Sequence, residues 1–136
     1  MVLKTYNGFH HDQRMRALYW LRGEYAAGRR QRPLGCDACG QTEGVIEAHS
    51  EDYSEPFGDH IGRFGLCYRC HIALHCRFKN LEAWETYKQH IREGRIFRPI
   101  GRNFQVFCGE TLRAMGRNVT FKQGPARERT LLDDIR

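Results

Sequence analysis

Apolar positions recur at helical spacing in two stretches of this chain and cluster at strand-like spacing in two others. Met15, Leu18, Leu21 and Tyr25 fall three and four residues apart, which predicts an amphipathic helix over residues 12–27. Gly28 ends it, and Arg29, Arg30 and Arg32 form a basic linker closed by Pro33, with the chemistry to touch phosphate. Leu81, Trp84, Tyr87 and Ile91 repeat the helical period behind Asn80, a residue suited to an N-cap, and Gly94 stops that second helix. Between the two, residues 45–49 read as a short β-branched strand and residues 63–66 as another, joined by a polar, turn-rich loop over 50–62. The second strand runs directly into a helix over 67–78. Residues 1–10 show no period and read as irregular; 104–107 read as a short strand, 110–115 as a helical turn or two, and the tail from Arg117 as a segment that orders on a partner.

The pattern is that of an α+β protein, one compact domain of 136 residues in three parts. Residues 1–35 supply a helix and basic linker, 36–79 a small finger, and 80–136 a second helix, a short strand and a basic tail. A core of this size gains from a metal staple. The six cysteines supply one. Cys36 and Cys39 form one Cys-x-x-Cys knuckle and Cys67 and Cys70 another, the spacing of a structural zinc site in which four thiolates complete a tetrahedron. Pairs of this kind favour zinc in a reducing, cytoplasmic compartment over a secreted disulfide framework, leaving Cys76 and Cys108 as ordinary buried thiols. No apolar run has membrane length, and the N-terminal residues lack the apolar segment of a signal peptide.

His71 and His75 lie four residues apart on the helix that starts at the second knuckle, so both imidazoles project from one face. With the four-cysteine site closed, they are free for a different metal. The net charge of +6 is unevenly spread. Residues 36–66 carry a net −6, whereas 1–35, 67–98 and 99–136 carry +5, +4 and +3. A basic chain around one acidic segment suits a polyanion-binding surface around a cation-binding pocket.

The order knuckle, strand, histidine, loop, strand, knuckle and helix with two histidines resembles the HNH, or ββα-metal, nuclease family in its zinc-braced version. The matching stretch runs over 36–78. Glu47-Ala48-His49 stands where that family ends its first strand, and Cys70-His71-Ile72-Ala73-Leu74-His75 where its helix carries metal-binding histidines. Phage-encoded members commonly read Ala-His-His followed by Asp-Tyr-Ser-x-Pro; Ala48-His49-Ser50-Glu51-Asp52-Tyr53-Ser54-Glu55-Pro56 is similar at every position but one. The resemblance implies a catalytic divalent metal (Zn, Ni, Co, Mn or Mg) on His49, His71 and His75, with DNA as the substrate. Imidazole ligands favour a transition metal over Mg.

Ser50 occupies the position where the family carries its general base, and a serine hydroxyl cannot hold a proton through a turnover near neutrality. His60, beside Asp59 in the intervening loop, is the substitute base that the sequence offers, ahead of the loop acids Glu51 and Asp52. Arg63, Arg69, Arg77 and Lys79 flank the finger as candidate phosphate contacts. His10, His11 and His90 read as surface residues. Two functions follow: a metal-dependent DNA endonuclease, with a homodimer compatible with one finger cutting one strand, or a zinc-containing nucleic-acid adaptor that kept the fold and lost the base.

Overall fold

A computed structural model describes residues 2–100 and 119–135. The strand expected over 104–107, the turns over 110–115 and Cys108 lie outside the described residues. The elements run α1 (His11–Ala26), β1 (Ile46–His49), β2 (Phe64–Cys67), α2 (Tyr68–His75), α3 (Leu81–Arg92), β3 (Arg95–Phe97), β4 (Phe121–Gln123) and α4 (Leu131–Asp134). β1 and β2 form one antiparallel pair, in register from Ile46 opposite Cys67 to His49 opposite Phe64; β3 and β4 form a second. The molecule is a small mixed α and β protein with Cys67 at the junction of strand and helix.

That junction is abrupt for a chemical reason. Cys67 is the last residue of β2 and the N-cap of α2, and its sulfur accepts from the amide of Cys70. α2 is then enclosed, burying Tyr68, Cys70, Ala73 and Leu74. Against it lies the inward face of α3 (Ala83, Trp84, Tyr87 and Ile91), together with Leu66, Phe97 and Leu132. Asn80 caps α3 as expected, its Oδ1 accepting from the Ala83 amide at 3.0 Å. α1 builds a smaller core: Ala17 and Leu21 pack with Ile61, and Trp20, Tyr25, Ala48, Tyr53 and Phe57 close around them. Its inward face is thus rotated from the stripe of Met15 and Leu18 that the sequence suggests.

Three expectations are corrected. Residues 1–10 are not irregular throughout, because Tyr6 and Phe9 exchange backbone hydrogen bonds around Asn7 and Gly8, both at positive φ. This is the two-residue Asn-Gly hairpin turn. α2 ends at His75, short of Phe78. The tail is not left to a partner, since Leu132 is fully buried in the main core and Asp133 pairs with Arg92 at 2.5 Å.

Gly62 packs against the smaller core. It sits at φ 61°, and a Cβ there would lie 2.6 Å from Leu21 and 3.2 Å from Ala48. Gly62→Ala is therefore expected to destabilise the protein by about 2–4 kcal/mol, the sum of left-handed backbone strain and overpacking. A denaturant titration checks this; an unchanged midpoint would show that the loop relaxes freely.

Candidate metal centres

The first centre is built from the two knuckles. Asp37 pins the first to β2, its amide donating to the Gly65 carbonyl at 2.7 Å and its Oδ2 accepting from the Gly65 amide at 2.8 Å. The sulfurs of Cys36, Cys39, Cys67 and Cys70 then lie within 4.8 Å of one another, all buried and none in a disulfide. Donors already point at them. The Cys39 amide faces the Cys36 sulfur and the Cys70 amide the Cys67 sulfur, each at 3.5 Å, and the Tyr87 hydroxyl lies 3.0 Å from the Cys70 sulfur. The surrounding thiols of Cys39, Cys67 and Cys70 push the Cys36 thiol strongly down. The interaction with Cys36 in turn pushes Cys67 and Cys70 up, and burial adds to it. One negative charge is welcome in this cluster and further ones are not, unless a cation balances them. The set is compatible with a structural zinc. Cys76 is half-buried and stands apart.

The second centre joins the end of β1 to one face of α2. Strand alternation puts Glu47 and His49 on the same side of β1, and helical spacing puts His71 and His75 opposite them. The three imidazoles each offer a nitrogen within 4.8 Å of the others. His49 Nε2–H donates to Glu51 at 2.5 Å and His71 Nδ1–H donates to Glu47 at 3.1 Å, which assigns both tautomers. The remaining lone pairs, on His49 Nδ1 and His71 Nε2, then face each other at 3.1 Å, and His75 Nε2 lies 3.1 Å from the same His71 nitrogen. Facing lone pairs repel, and a cation between them turns the repulsion into coordination. The donor set fits a borderline transition metal held by neutral imidazoles. Burial, followed by the charges of His71 and His49, pushes His75 down to about 3, so it offers a lone pair at neutrality. Burial likewise lowers His49, against the opposing pull of Glu51.

What surrounds this centre leaves little trace in the sequence. Tyr6, from the N-terminal hairpin, lays its ring 4.7 Å from His75 and 5.6 Å from His49, and its hydroxyl donates to Glu51. Arg77 donates to that hydroxyl at 3.1 Å. Burial and then the Glu51 hydrogen bond push the Tyr6 phenol up, so it stays a donor. Glu51, a candidate base by sequence, serves as an acceptor. Burial raises its carboxyl, but the hydrogen bonds from His49 and Tyr6 outweigh this and hold it below the usual range. The Asn7-Gly8 turn was the available signal for this hairpin.

The other candidate residues divide. Ser50 is buried, and its hydroxyl accepts from the Gly62 amide at 2.6 Å, so it fastens the loop. His60 stands outside the histidine set; its Nε2–H donates to the Ser54 carbonyl at 2.8 Å. It lines a cavity of about 490 Å³ with Asn7, Glu51, Asp52 and Arg63. Arg63 and Lys79 are exposed, as phosphate contacts require. Arg69 and Arg77 are not: both are buried, Arg69 donating to the Arg98 carbonyl at 2.6 Å and Arg77 to the Leu74 carbonyl at 2.8 Å. His90 is half-buried against the Phe97 ring rather than on the surface. No helix among the described residues is long and apolar enough to cross a membrane. A scan against protein-family models and searches of curated proteins and of solved structures found no match.

Proposed function

We propose that the protein is a metal-dependent endonuclease that hydrolyses phosphodiester bonds in DNA, with a ββα-metal finger of the HNH type formed by β1, β2 and α2. The observation that carries this reading is the pair of lone pairs on His49 and His71, 3.1 Å apart with His75 beside them and no carboxylate or thiol among the donors. Three neutral imidazoles leave coordination positions open, whereas the four-cysteine set is complete in itself. A divalent ion held there would neutralise charge developing on the phosphate oxygens. Exposed Arg63 and Lys79, with the basic segments on either side of the acidic finger, suit the approach of a polyanion. Plasmid nicking with Zn, Ni, Co, Mn and Mg, against a chelated control, tests the activity; no cutting with any ion rejects it.

His60 is the base in this reading. Donation of Nε2–H to Ser54 leaves the lone pair on Nδ1, on a residue that shares a cavity with Glu51. His60→Ala is expected to lower cutting by about 10²–10⁴ without changing metal content, the usual size of a general-base contribution. Cutting at the native rate would remove His60 from the mechanism.

A second reading has one observation in its favour: among the described residues no base lies within the histidine cluster itself, because Ser50 and Glu51 are both engaged. A DNA-binding adaptor with the same fold would show salt-sensitive DNA binding and no cleavage.

A further inference from the structure

We propose that Glu51 is the positioning residue of the histidine centre and that the N-terminal hairpin completes this centre by holding Glu51; the inference rests on the reading of His49, His71 and His75 as a metal site. Glu51 lies two residues beyond His49, past the end of β1. Its Oε2 accepts His49 Nε2–H at 2.5 Å and also the Tyr6 hydroxyl. Its Oε1 accepts Asn7 Nδ2 at 3.2 Å and faces Arg77 Nη2 at 3.7 Å. Asn7 grips the backbone as well, donating to the Glu51 carbonyl at 2.9 Å. The three hydrogen-bond donors and the Arg77 guanidinium come from three places: the hairpin, the strand end and the residues just after α2.

Three hydrogen bonds and a facing guanidinium surround a carboxylate that has about four acceptor sites, so it is engaged as an acceptor rather than poised to take a proton from water. What it does instead is act on His49. Accepting the Nε2 proton fixes the ring so that Nδ1 points at His71, and it makes that nitrogen a better donor to a cation. The Tyr6 hydroxyl donates a hydrogen bond to Glu51 and accepts one from Arg77, so the phenol carries the pull of a buried guanidinium to the carboxylate. The αL backbone of Asn7 and Gly8 is what brings both Tyr6 and Asn7 onto the same acid. The centre therefore depends on residues that lie more than 40 positions upstream of the finger's first histidine.

Two readouts test this on the zinc-loaded full chain. One is cobalt affinity from the visible absorption of added Co²⁺; the other, without cobalt, is the downfield imidazole N–H resonance that a short hydrogen bond to a carboxylate produces. Glu51→Ala is expected to weaken cobalt binding by about 10–100-fold and to abolish the resonance while the cysteine zinc stays. Glu51→Gln preserves the shape but offers a neutral acceptor, so the resonance moves upfield and the affinity falls by less. Tyr6→Phe keeps the ring against His75 and loses only the hydroxyl, giving a smaller loss with the resonance retained. If Glu51→Ala loses its zinc, Glu51→Gln decides alone. Native cobalt affinity with an unshifted resonance in a folded Glu51 variant overturns the inference. Absence of cobalt uptake by the native protein overturns the three-histidine reading instead.

Discussion

Cys67→Ser is expected to abolish the folded state of the finger and to remove the structural zinc with which the four-cysteine cluster is compatible. The effect is large because Cys67 has three tasks at one point in the chain. It is a sulfur donor of the four-cysteine cluster, the strand residue opposite Ile46, and the N-cap of α2. A serine oxygen can cap the helix, so the loss is specific to the metal. Structural zinc contributes about 10–16 kcal/mol in finger-sized units, as much as the whole stability of a typical domain, about 5–15 kcal/mol. The core around α2 cannot replace that, since four of its buried residues, Cys36, Cys39, Cys67 and Cys70, are the candidate ligands themselves. Zinc analysis should find about one ion per native chain, as a four-thiolate site takes, and none in the variant, which should show no cooperative melt. Cys76→Ser, at a half-buried thiol outside the cluster, should retain both ion and melt. A Cys67→Ser protein that keeps its zinc would show that the ion sits elsewhere.

How much of this was legible depended on the range of the interactions. The cysteine cluster could be read directly because each half of it is a four-residue motif and only the pairing of the halves needs the fold. α3 could be read because Asn80, the stripe of Leu81, Trp84, Tyr87 and Ile91 and Gly94 all act locally, although Leu81 itself is left exposed. The histidine set could be read only through the order of its elements. His71 and His75 share a helical face, but nothing in their spacing brings His49 to them; the pairing of β1 with β2 does that. The carboxylate network around His49 was not legible, because Tyr6 and Glu51 meet across 45 residues and the hairpin presenting Tyr6 has a single flanking residue on each side of its turn. Arg69 and Arg77 were misread for another reason. Arginine is ordinarily a surface residue, but α2 is covered by β1, β2 and α3, and both guanidiniums turn inward to backbone carbonyls. The tail was misread because Leu131, Leu132 and Ile135 are too few and too charged about to show a period, while the core that receives them lies far upstream.

On the proposed nuclease reading, His75→Ala is expected to remove the second metal and with it the cleavage of DNA, leaving the four-cysteine site and the fold in place. His75 is the most informative of the three histidines to change. It is the last residue of α2, where alanine suits the helix, and among the described residues no carboxylate contact is lost with its ring. His49, by contrast, is buried with Glu51, and His71 donates to Glu47, so changing either disturbs a second group. Removing His75 leaves the lone pairs of His49 and His71 as a two-nitrogen site with the third direction open. An ion there would provide several kcal/mol of charge stabilisation to a phosphodiester reaction. At about 1.4 kcal/mol per factor of ten, its loss lowers the rate by roughly 10²–10⁴ or more. Cobalt absorption, zinc content and plasmid nicking on the same preparation separate the contributions. The expected pattern is no cobalt signal, native zinc and no cutting above background. Native cutting by His75→Ala would show that the ion doing the chemistry lies elsewhere; lost cutting with native cobalt binding would make His75 a contact of the DNA and not of the metal.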